Sequence, residues 1–291
     1  MEITAQLVKE LRARTGVGMM ECKRALSECD GDIDAAIQHL RTSGQMKADK
    51  KSARTAAEGS LALAKSEDGA RALLLELNSE TDFVAKDDGF LAFAQSCAEA
   101  ALASGAEEVE ALMGQSTEDG TFEEVRQELV ARLGENIQVR RLQHLAVDGG
   151  AIGCYLHGRR IGVLVAYEGE PELGRDLAMH IAASRPVCVD EDDVPEDLLE
   201  KERAVLTAQA QESGKPPEII EKMIAGRLRK YLSEVTLLGQ PFVRDPDITV
   251  GKLLQSKDAS VQAFVRLEVG EGIEKKQENF AEEVRAQAQT H

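Results

Sequence analysis

The chain has 291 residues, a net charge of −17 and only 3% aromatic residues, with no tryptophan. Nucleic-acid binders need a basic surface to displace phosphate counterions and rings to stack on bases, so this composition argues against nucleic-acid binding. The length predicts two or more domains with a mostly aliphatic core, and the acidity either suits protein partners or serves solubility alone.

Residues 1–45 are predicted to form three short helices. Thr4 can cap the first helix, Gly16 lies near its end, and Gly31-Asp32 separates the second helix from the third. The third helix carries one apolar stripe with helical spacing. Three helices in so short a segment make a compact binding module that resembles a ubiquitin-associated domain.

Met19 and Met20 are candidate contact residues of this module. Neighbouring helix positions diverge by about 100°, so the two side chains cannot both face one narrow core. We therefore expect at least one to be exposed, where flexible methionine suits an adaptable binding surface. The alternative is that both pack at a helix end.

A basic segment, 46–58, follows this module. Its four basic side chains stand among alanine, serine and threonine without a nearby aromatic residue. This pattern predicts a linker that is partly helical and solvated, and it does not favour an RNA site.

A repeated pattern of strands and helices fills residues 59–148, and it recurs in 149–189 together with 238–270. In each copy a hairpin turn joins two apolar strands, a helix follows, and a last strand closes the unit. The fold class is therefore α+β, with a duplicated core of two small antiparallel sheets and helices. The turns are predicted at 66–69 and 157–158, and the last strands at 137–147 and 261–269.

Two helical segments are predicted outside this core. Residues 190–237 carry two amphipathic helices around a Gly-Lys-Pro-Pro turn. They predict an inserted helical hairpin whose apolar faces zip together or pair with a second copy. Residues 271–291 are predicted to form one charged C-terminal helix, with too few apolar residues to fold alone, so it should dock on another surface.

The apolar run Leu73–Leu77 leads into the segment most informative about function. The run is typical of a buried strand, it stops at Asn78-Ser79, and Thr81 or Asp82 can cap the helix that follows. Phe83 then lies at a strand-to-helix corner beside a carboxylate, which suits insertion into a partner better than catalysis. The alternative is that Phe83 staples its own helix to the sheet.

Motifs for catalysis and nucleotide binding are missing. The sequence has no Gly-x-x-x-x-Gly-Lys-Ser/Thr loop, no Gly-x-Ser-x-Gly elbow and no His-Glu-x-x-His pair. We therefore predict no bond-making enzyme and no direct nucleotide binding. Among the histidines, His157 lies at a predicted hairpin tip and is a candidate contact, whereas His180 lies on a helix flank and is expected in the core.

The five cysteines are expected to be free thiols in a reducing cytoplasm. They form no Cys-x-x-Cys pair, and Cys22 and Cys29 with His39 match no common zinc spacing. No metal and no cofactor is predicted. The sequence also lacks a run of about 18 apolar residues and a basic-then-apolar N-terminal signal, so we expect a cytoplasmic protein without membrane contact.

Seven segments, in order along the chain, are similar to motifs of one known family. The first is Thr15-Gly-Val-Gly-Met-Met-Glu-Cys-Lys-Arg-Ala-Leu26 and the second is Thr81-Asp-Phe-Val-Ala-Lys86. The other five are 157–165, 178–186, 213–216, 239–243 and 269–275. Together they resemble the elongation factor Ts family, which exchanges nucleotide on elongation factor Tu. Seven matches in family order are difficult to explain by chance.

The resemblance implies how the chain would act on elongation factor Tu as its partner. Phe83 would enter the GTPase near its Mg²⁺ and phosphate site as a wedge between helices, and Asp82 would disturb the groups that hold the metal's waters. The hairpin in 190–237 is a dimerisation element in some members of the family. The expected partner contacts are Thr81, Asp82, Phe83 and Val84, with weaker contacts from Met19, Met20 and His157.

Two other classes are compatible with the residues alone. A helical scaffold or adaptor would bind its partner equally well with or without GDP. A metal-dependent hydrolase that uses the many carboxylates would need a tightly bound, stoichiometric metal.

Overall fold

The computed structural model describes residues 3–212 and 216–274, and it has helices at its N-terminus and small antiparallel sheets, which confirms a mixed α/β class. The helices are α1 (Ala5–Thr15), α2 (Met19–Glu28), α3 (Ile33–Lys51), α4 (Asp88–Ser104), α5 (Val109–Met113), α6 (Phe122–Leu133), α7 (Pro171–Ser184), α8 (Glu196–Gln211), α9 (Pro217–Val235) and α10 (Val250–Ser256). The strands are β1 (Glu58–Lys65), β2 (Arg71–Ser79), β3 (Ser116–Thr117), β4 (Gly120–Thr121), β5 (Gln138–Ala146), β6 (Ala151–His157), β7 (Ile161–Glu168), β8 (Pro241–Phe242), β9 (Asp245–Thr249) and β10 (Ser260–Glu268).

The first three helices form a small cluster with its own apolar core. Thr4 caps α1 by accepting a hydrogen bond from the backbone N–H of Leu7 at 3.3 Å, and Gly16 ends the helix with a φ of 67°. Leu11 and Leu26 are fully buried between the helices. A left-handed residue at a helix end is where glycine is favoured, so the predicted start and stop of α1 both have a physical cause.

Helix α3 runs six residues beyond the predicted boundary at 45. No proline lies between 45 and 51 to end the helix. Lys50 and Lys51 in its last turn stabilise it, because their positive charges lie at the negative end of the helix dipole. Its second half packs on α6, where a Cβ on Gly44 would be 3.5 Å from the Ala131 side chain. The first part of the segment predicted as a linker is thus a continuous helix that joins the N-terminal cluster to the core.

Two three-stranded antiparallel sheets form the centre of the described chain. The first sheet has the order β1-β2-β5 and the second has the order β10-β7-β6. In each sheet a hairpin is followed by helical structure, and the last strand then pairs with the second strand of the hairpin. This shared connectivity agrees with the pattern that suggested duplication, which stays a prediction.

The two sheets pack face to face, and helices cover their outer faces. Leu73, Leu75 and Leu77 point from β2 towards α4, whereas Leu74 points towards the second sheet and clusters with Leu164 of β7. A strand covered on both faces has no polar side, which explains the continuous apolar run in the sequence.

A carboxylate lies buried at the inner face of β2. Glu76 has no exposed surface, and its oxygens accept hydrogen bonds from Arg140 Nη1 at 3.1 Å, Arg141 Nε at 2.6 Å and the backbone N–H of Gly270 at 2.8 Å. The pairing of β2 with β5 shifts at this point, so that Glu76 faces Arg141 and Leu77 faces Val139. The extra residue, Arg140, forms a bulge, and a bulge re-aims a side chain, so that two consecutive arginines reach one carboxylate.

The same arginines join the first sheet to the end of β10. Arg141 Nη2 donates to the backbone carbonyl of Glu268 at 3.0 Å, and Arg140 Nη2 donates to that of Glu271 at 2.5 Å. The end of the last strand of the second sheet is therefore held by side chains that Glu76 orients.

His180 lies in the core of the second half, as its position on the helix flank predicted. Its Nδ1 accepts a hydrogen bond from the backbone N–H of Val243 at 3.1 Å, so Nε2 carries the proton and donates to Gln240 Oε1 at 3.0 Å. Burial lowers the pKa of His180, because the charged ring would be desolvated. This histidine is a neutral structural residue.

Helices α8 and α9 pack against each other, and Leu206 and Ala210 of α8 are buried. The turn at 213–215 and the predicted C-terminal helix, from 275 onward, lie outside the described residues. Dimerisation through 190–237 stays a prediction. None of the described helices combines the length and apolar character needed to traverse a bilayer.

Replacing Glu76 with alanine should lower the free energy of unfolding by about 3 kcal/mol or more, because two arginines and a backbone N–H lose a buried partner. Urea unfolding followed by circular dichroism measures this. The control is Glu128→Ala, since Glu128 pairs with Arg41 and both side chains are nearly half exposed. The control should cost less than about 1 kcal/mol. Equal losses in the two variants would show that the Glu76 cluster does not stabilise the fold.

Candidate functional site

Phe83 is 82% exposed, more than any other large apolar side chain in the described part of the chain. Burying such a ring is worth about 1.5–3 kcal/mol, so a folded protein that leaves it in water forgoes that stabilisation. The alternative in which Phe83 staples its own helix to the sheet is wrong, because the ring does not pack on the protein. An exposed aromatic side chain at an element tip is a candidate contact for a partner.

The backbone around Phe83 forms a short 3₁₀ turn, Val84–Lys86, before α4. Helix α4 begins at Asp88 and is capped by Asp87, whose Oδ1 accepts from the backbone N–H of Phe90 at 3.0 Å. The expectation that Thr81 or Asp82 caps α4 was therefore wrong. Asp87 is the residue directly before α4, whereas Thr81 Oγ1 accepts a hydrogen bond from the backbone N–H of Val84 at 3.4 Å.

Asp82 points to solvent beside Phe83. Its Oδ2 lies 2.6 Å from Lys86 Nζ, and both side chains are more than half exposed. The hydrogen bond from Lys86 lowers the pKa of Asp82, and the positive charge of Arg160 lowers it further. The site therefore presents an ionised carboxylate next to an apolar ring.

Residues 80–87, between β2 and α4, form the Phe83 loop. Glu135, just before β5, fixes the start of this loop from beside the end of β2. Its Oε2 accepts from the backbone N–H groups of Glu80 at 3.1 Å and Thr81 at 2.9 Å, and its Oε1 accepts from Thr81 Oγ1 at 2.6 Å. Hydrogen bonds to a charged acceptor are the stronger ones in proteins. Sequence reasoning missed Glu135, because it lies 54 residues from Thr81 and no local pattern marks it.

Two buried serine side chains also hold the backbone of the loop, one near its start and one near its end. Ser60 Oγ on β1 donates to the backbone carbonyl of Ala85 at 3.0 Å, and Ser79 Oγ donates to that of Thr81 at 2.9 Å. Val84 is half-buried against the core of the first half. The four predicted contacts thus divide into two groups: Thr81 and Val84 anchor the loop, whereas Asp82 and Phe83 face outward.

The weaker candidate contacts lie on two other elements. Met19 and Met20 start α2 and are 46% and 78% exposed, so the alternative in which both pack at a helix end is wrong. His157 is exposed at the tip of the β6–β7 hairpin, where its Nδ1 lies 3.1 Å from Tyr155 Oη.

The β6–β7 hairpin tip lies beside the first sheet. The backbone N–H of Leu61 donates to the carbonyl of Arg159 at 2.7 Å, and Arg160 Nη1 lies 2.6 Å from Glu58 Oε2. Because Ser60, next to Leu61 on β1, donates to the carbonyl of Ala85, this tip and the Phe83 loop contact neighbouring residues of one strand. Met19 and Met20 belong to the separate N-terminal cluster.

Among the described residues, no group of three or more His, Cys, Asp or Glu side chains is placed to hold a metal ion. Burial raises the pKa of the Cys97 thiol to about 12, so this cysteine is un-ionised and unreactive near neutral pH. The region around Phe83 carries an exposed apolar ring beside an exposed carboxylate.

Comparison with known proteins identifies close relatives. A family model described as "Elongation factor TS" matches residues 80–271. The chain is 60% identical over 290 residues to the elongation factor Ts of Thioalkalivibrio sulfidiphilus, with 99% of each chain covered. It is 59% identical over 289 residues to that of Alkalilimnicola ehrlichii and 56% identical over 290 residues to that of Legionella pneumophila, again with 99% of each chain covered.

Replacing Glu135 with alanine should loosen the Phe83 loop. Three hydrogen bonds to a carboxylate are lost, and each is worth about 1.5–3 kcal/mol, so the amides of Glu80 and Thr81 should exchange with solvent at least about tenfold faster. Hydrogen exchange measured by NMR reports this. Asp197→Ala removes an exposed pair on α8 and serves as control. Unchanged exchange at both amides in the Glu135 variant would contradict the anchoring role.

Proposed function

Because this chain belongs to the elongation factor Ts family, the nucleotide-exchange factors of elongation factor Tu in translation elongation, we propose that its Thr81–Val84 loop drives the release of GDP. The observation that carries the proposal is an exposed Phe83 ring on a backbone held from two sides. A ring on an ordered backbone loses little conformational freedom when it enters a partner.

Exchange requires a difference in affinity. The factor must bind the nucleotide-free GTPase more tightly than the GDP-bound form, and by linkage it then weakens GDP by the same factor. A thousandfold weakening corresponds to roughly 4 kcal/mol of differential contact. Burying the Phe83 ring supplies about 1.5–3 kcal/mol, so other contacts must contribute the rest.

Two side chains of the loop have different tasks. Phe83 acts as a wedge between helices of the GTPase, where its burial stabilises the opened form. Asp82 stays ionised beside it and disturbs the groups that hold the waters of the Mg²⁺ ion. Once Mg²⁺ is lost, the phosphate charge of GDP is no longer neutralised and the nucleotide leaves.

The remaining contacts hold the GTPase on either side of the wedge. Met19 and Met20 bind from the N-terminal cluster, and flexible methionines adapt to an apolar surface. His157 binds another domain of the GTPase from the β6–β7 hairpin tip. In this arrangement the chain makes no bond and binds no nucleotide itself, and its partner is elongation factor Tu. Dimerisation through 190–237 stays a separate prediction.

The first test is the release of a fluorescent GDP analogue from purified elongation factor Tu. Substoichiometric amounts of this protein should accelerate release, because a factor that dissociates afterwards acts repeatedly. Equal binding with and without GDP and no acceleration would instead identify an adaptor. A stoichiometric metal in elemental analysis, together with no acceleration, would favour the hydrolase.

Phe83→Ala should slow GDP release at saturating factor by about tenfold to a hundredfold, which is the rate equivalent of the lost burial. Its free energy of unfolding should change by less than about 0.5 kcal/mol, since the ring makes no core contact. Met46→Ala is the control, because Met46 is 57% exposed on α3 and is not among the expected contacts. An unchanged rate for Phe83→Ala would eliminate the wedge.

A further inference from the structure

The junction between α6 and β5, residues 134–136, touches both the end of α3 and the Phe83 loop. On the α3 side, the carbonyl of Gly134 accepts a hydrogen bond from Lys51 Nζ. Asn136 is 1% exposed, and its Nδ2 donates to the backbone carbonyls of Ser52 at 3.3 Å and Arg54 at 2.7 Å. These bonds fix the segment that leaves the N-terminal cluster.

Two residues of the junction, Glu135 and Asn136, hold the loop side. The backbone N–H of Asn136 donates to Glu80 Oε1 at 2.6 Å, next to the bonds that Thr81 donates to Glu135. Arg54 Nη1 lies 3.5 Å from that Glu80 oxygen. The contacts therefore close a ring that runs from residue 54 through 136 to 80.

Arg132, two residues before the junction, braces the two parts at a second point. Its Nη2 lies 3.3 Å from Asp87 Oδ1 at the start of α4. Its side chain also lies against the end of α1, since a Cβ on Gly16 would be 3.1 Å from Arg132 Cδ. The N-terminal cluster is thus connected to the Phe83 loop both at the end of α1 and at the end of α3.

We propose that Asn136 is a positioning residue that fixes the N-terminal cluster relative to the Phe83 loop, so that the grip of Met19 and Met20 on the GTPase opposes the expulsion of Phe83. This inference rests on the proposed exchange function. Binding free energy gained at one contact can hold another contact in place only if the two are rigidly connected. With a hinge between them, the N-terminal cluster would raise the affinity for the GTPase, but it would not help to keep Phe83 inserted.

The rigid connection makes a distinctive kinetic prediction about Met20→Ala. In the otherwise unchanged protein, this substitution should lower the maximal rate of GDP release as well as raise the half-saturating concentration. In an Asn136→Ala background it should raise only the half-saturating concentration, because the maximal rate no longer depends on that grip. If Asn136 had a merely structural role, Met20→Ala would change the maximal rate and the half-saturating concentration in the same way with and without Asn136→Ala.

Gln240 provides a matched control. It is 5% exposed, and its Nε2 donates to the backbone carbonyls of Ser184 at 3.2 Å and Glu234 at 2.8 Å in the second half. Asn136→Ala and Gln240→Ala both remove two buried bonds from a side-chain amide to backbone carbonyls, and Gln240→Ala also removes the bond with His180. Assayed well below both melting temperatures, Asn136→Ala should release GDP about tenfold more slowly at saturating factor, whereas Gln240→Ala should match the unchanged protein.

Hydrogen exchange of the free protein tests the connection without the GTPase. Asn136→Ala should raise amide exchange in both 52–57 and 80–86 and leave β7 protected, and Gln240→Ala should raise it in neither segment. Failure of the wild-type protein to accelerate GDP release would refute the proposed function. The amide hydrogen exchange would still decide whether the junction holds both the end of α3 and the Phe83 loop.

The inference would be overturned if Asn136→Ala kept the wild-type maximal rate of GDP release. It would also be overturned if amide hydrogen exchange became faster in only one of the segments 52–57 and 80–86. Should that variant fail to fold, Arg54→Ala repeats the test. Its side chain is 55% exposed and contacts Glu80 without being buried.

Discussion

The burial of β2 on both faces is the constraint on which the rest of the structure depends. Its outward leucines are covered by α4, and its inward side chains by the second sheet. A strand in this position cannot shift register without placing apolar groups in water, so the place where it ends is fixed. That end, Asn78-Ser79, is where the Phe83 loop starts, and the core thereby sets the position of an exposed ring.

Polar contacts complete what apolar burial begins. Glu76 would be costly to bury alone, but two arginines and a backbone N–H satisfy it and tie the first sheet to the end of β10. Glu135 does the same for the loop on a smaller scale. In both places one carboxylate gathers donors from segments far apart in sequence, and the carboxylate becomes the point at which those segments are held together.

Local patterns in the sequence predicted the local features of the structure. The run Leu73–Leu77 has the apolar continuity of a strand that is covered on both faces, and Thr4 and Gly16 have the chemistry of helix ends. Long-range contacts could not be read in this way. Glu135 and Asn136 follow a helix-ending glycine as ordinary polar residues would, and only the fold brings them to Thr81 and Ser52. The displaced cap of α4 shows the same limit, because the sequence predicted Thr81 or Asp82 as the cap and only the fold shows that the helix begins after Asp87.

An ordered loop also explains why exposing Phe83 is compatible with its proposed use. If the loop were disordered, the conformational entropy of ordering its residues, about 1–2 kcal/mol each, would oppose association and offset the gain from burying one ring. Here folding has already met that cost, because Glu135, Ser60 and Ser79 fix the backbone before any partner arrives. The free energy of burying Phe83 is then not consumed in ordering the loop, and it can stabilise the opened form of the partner.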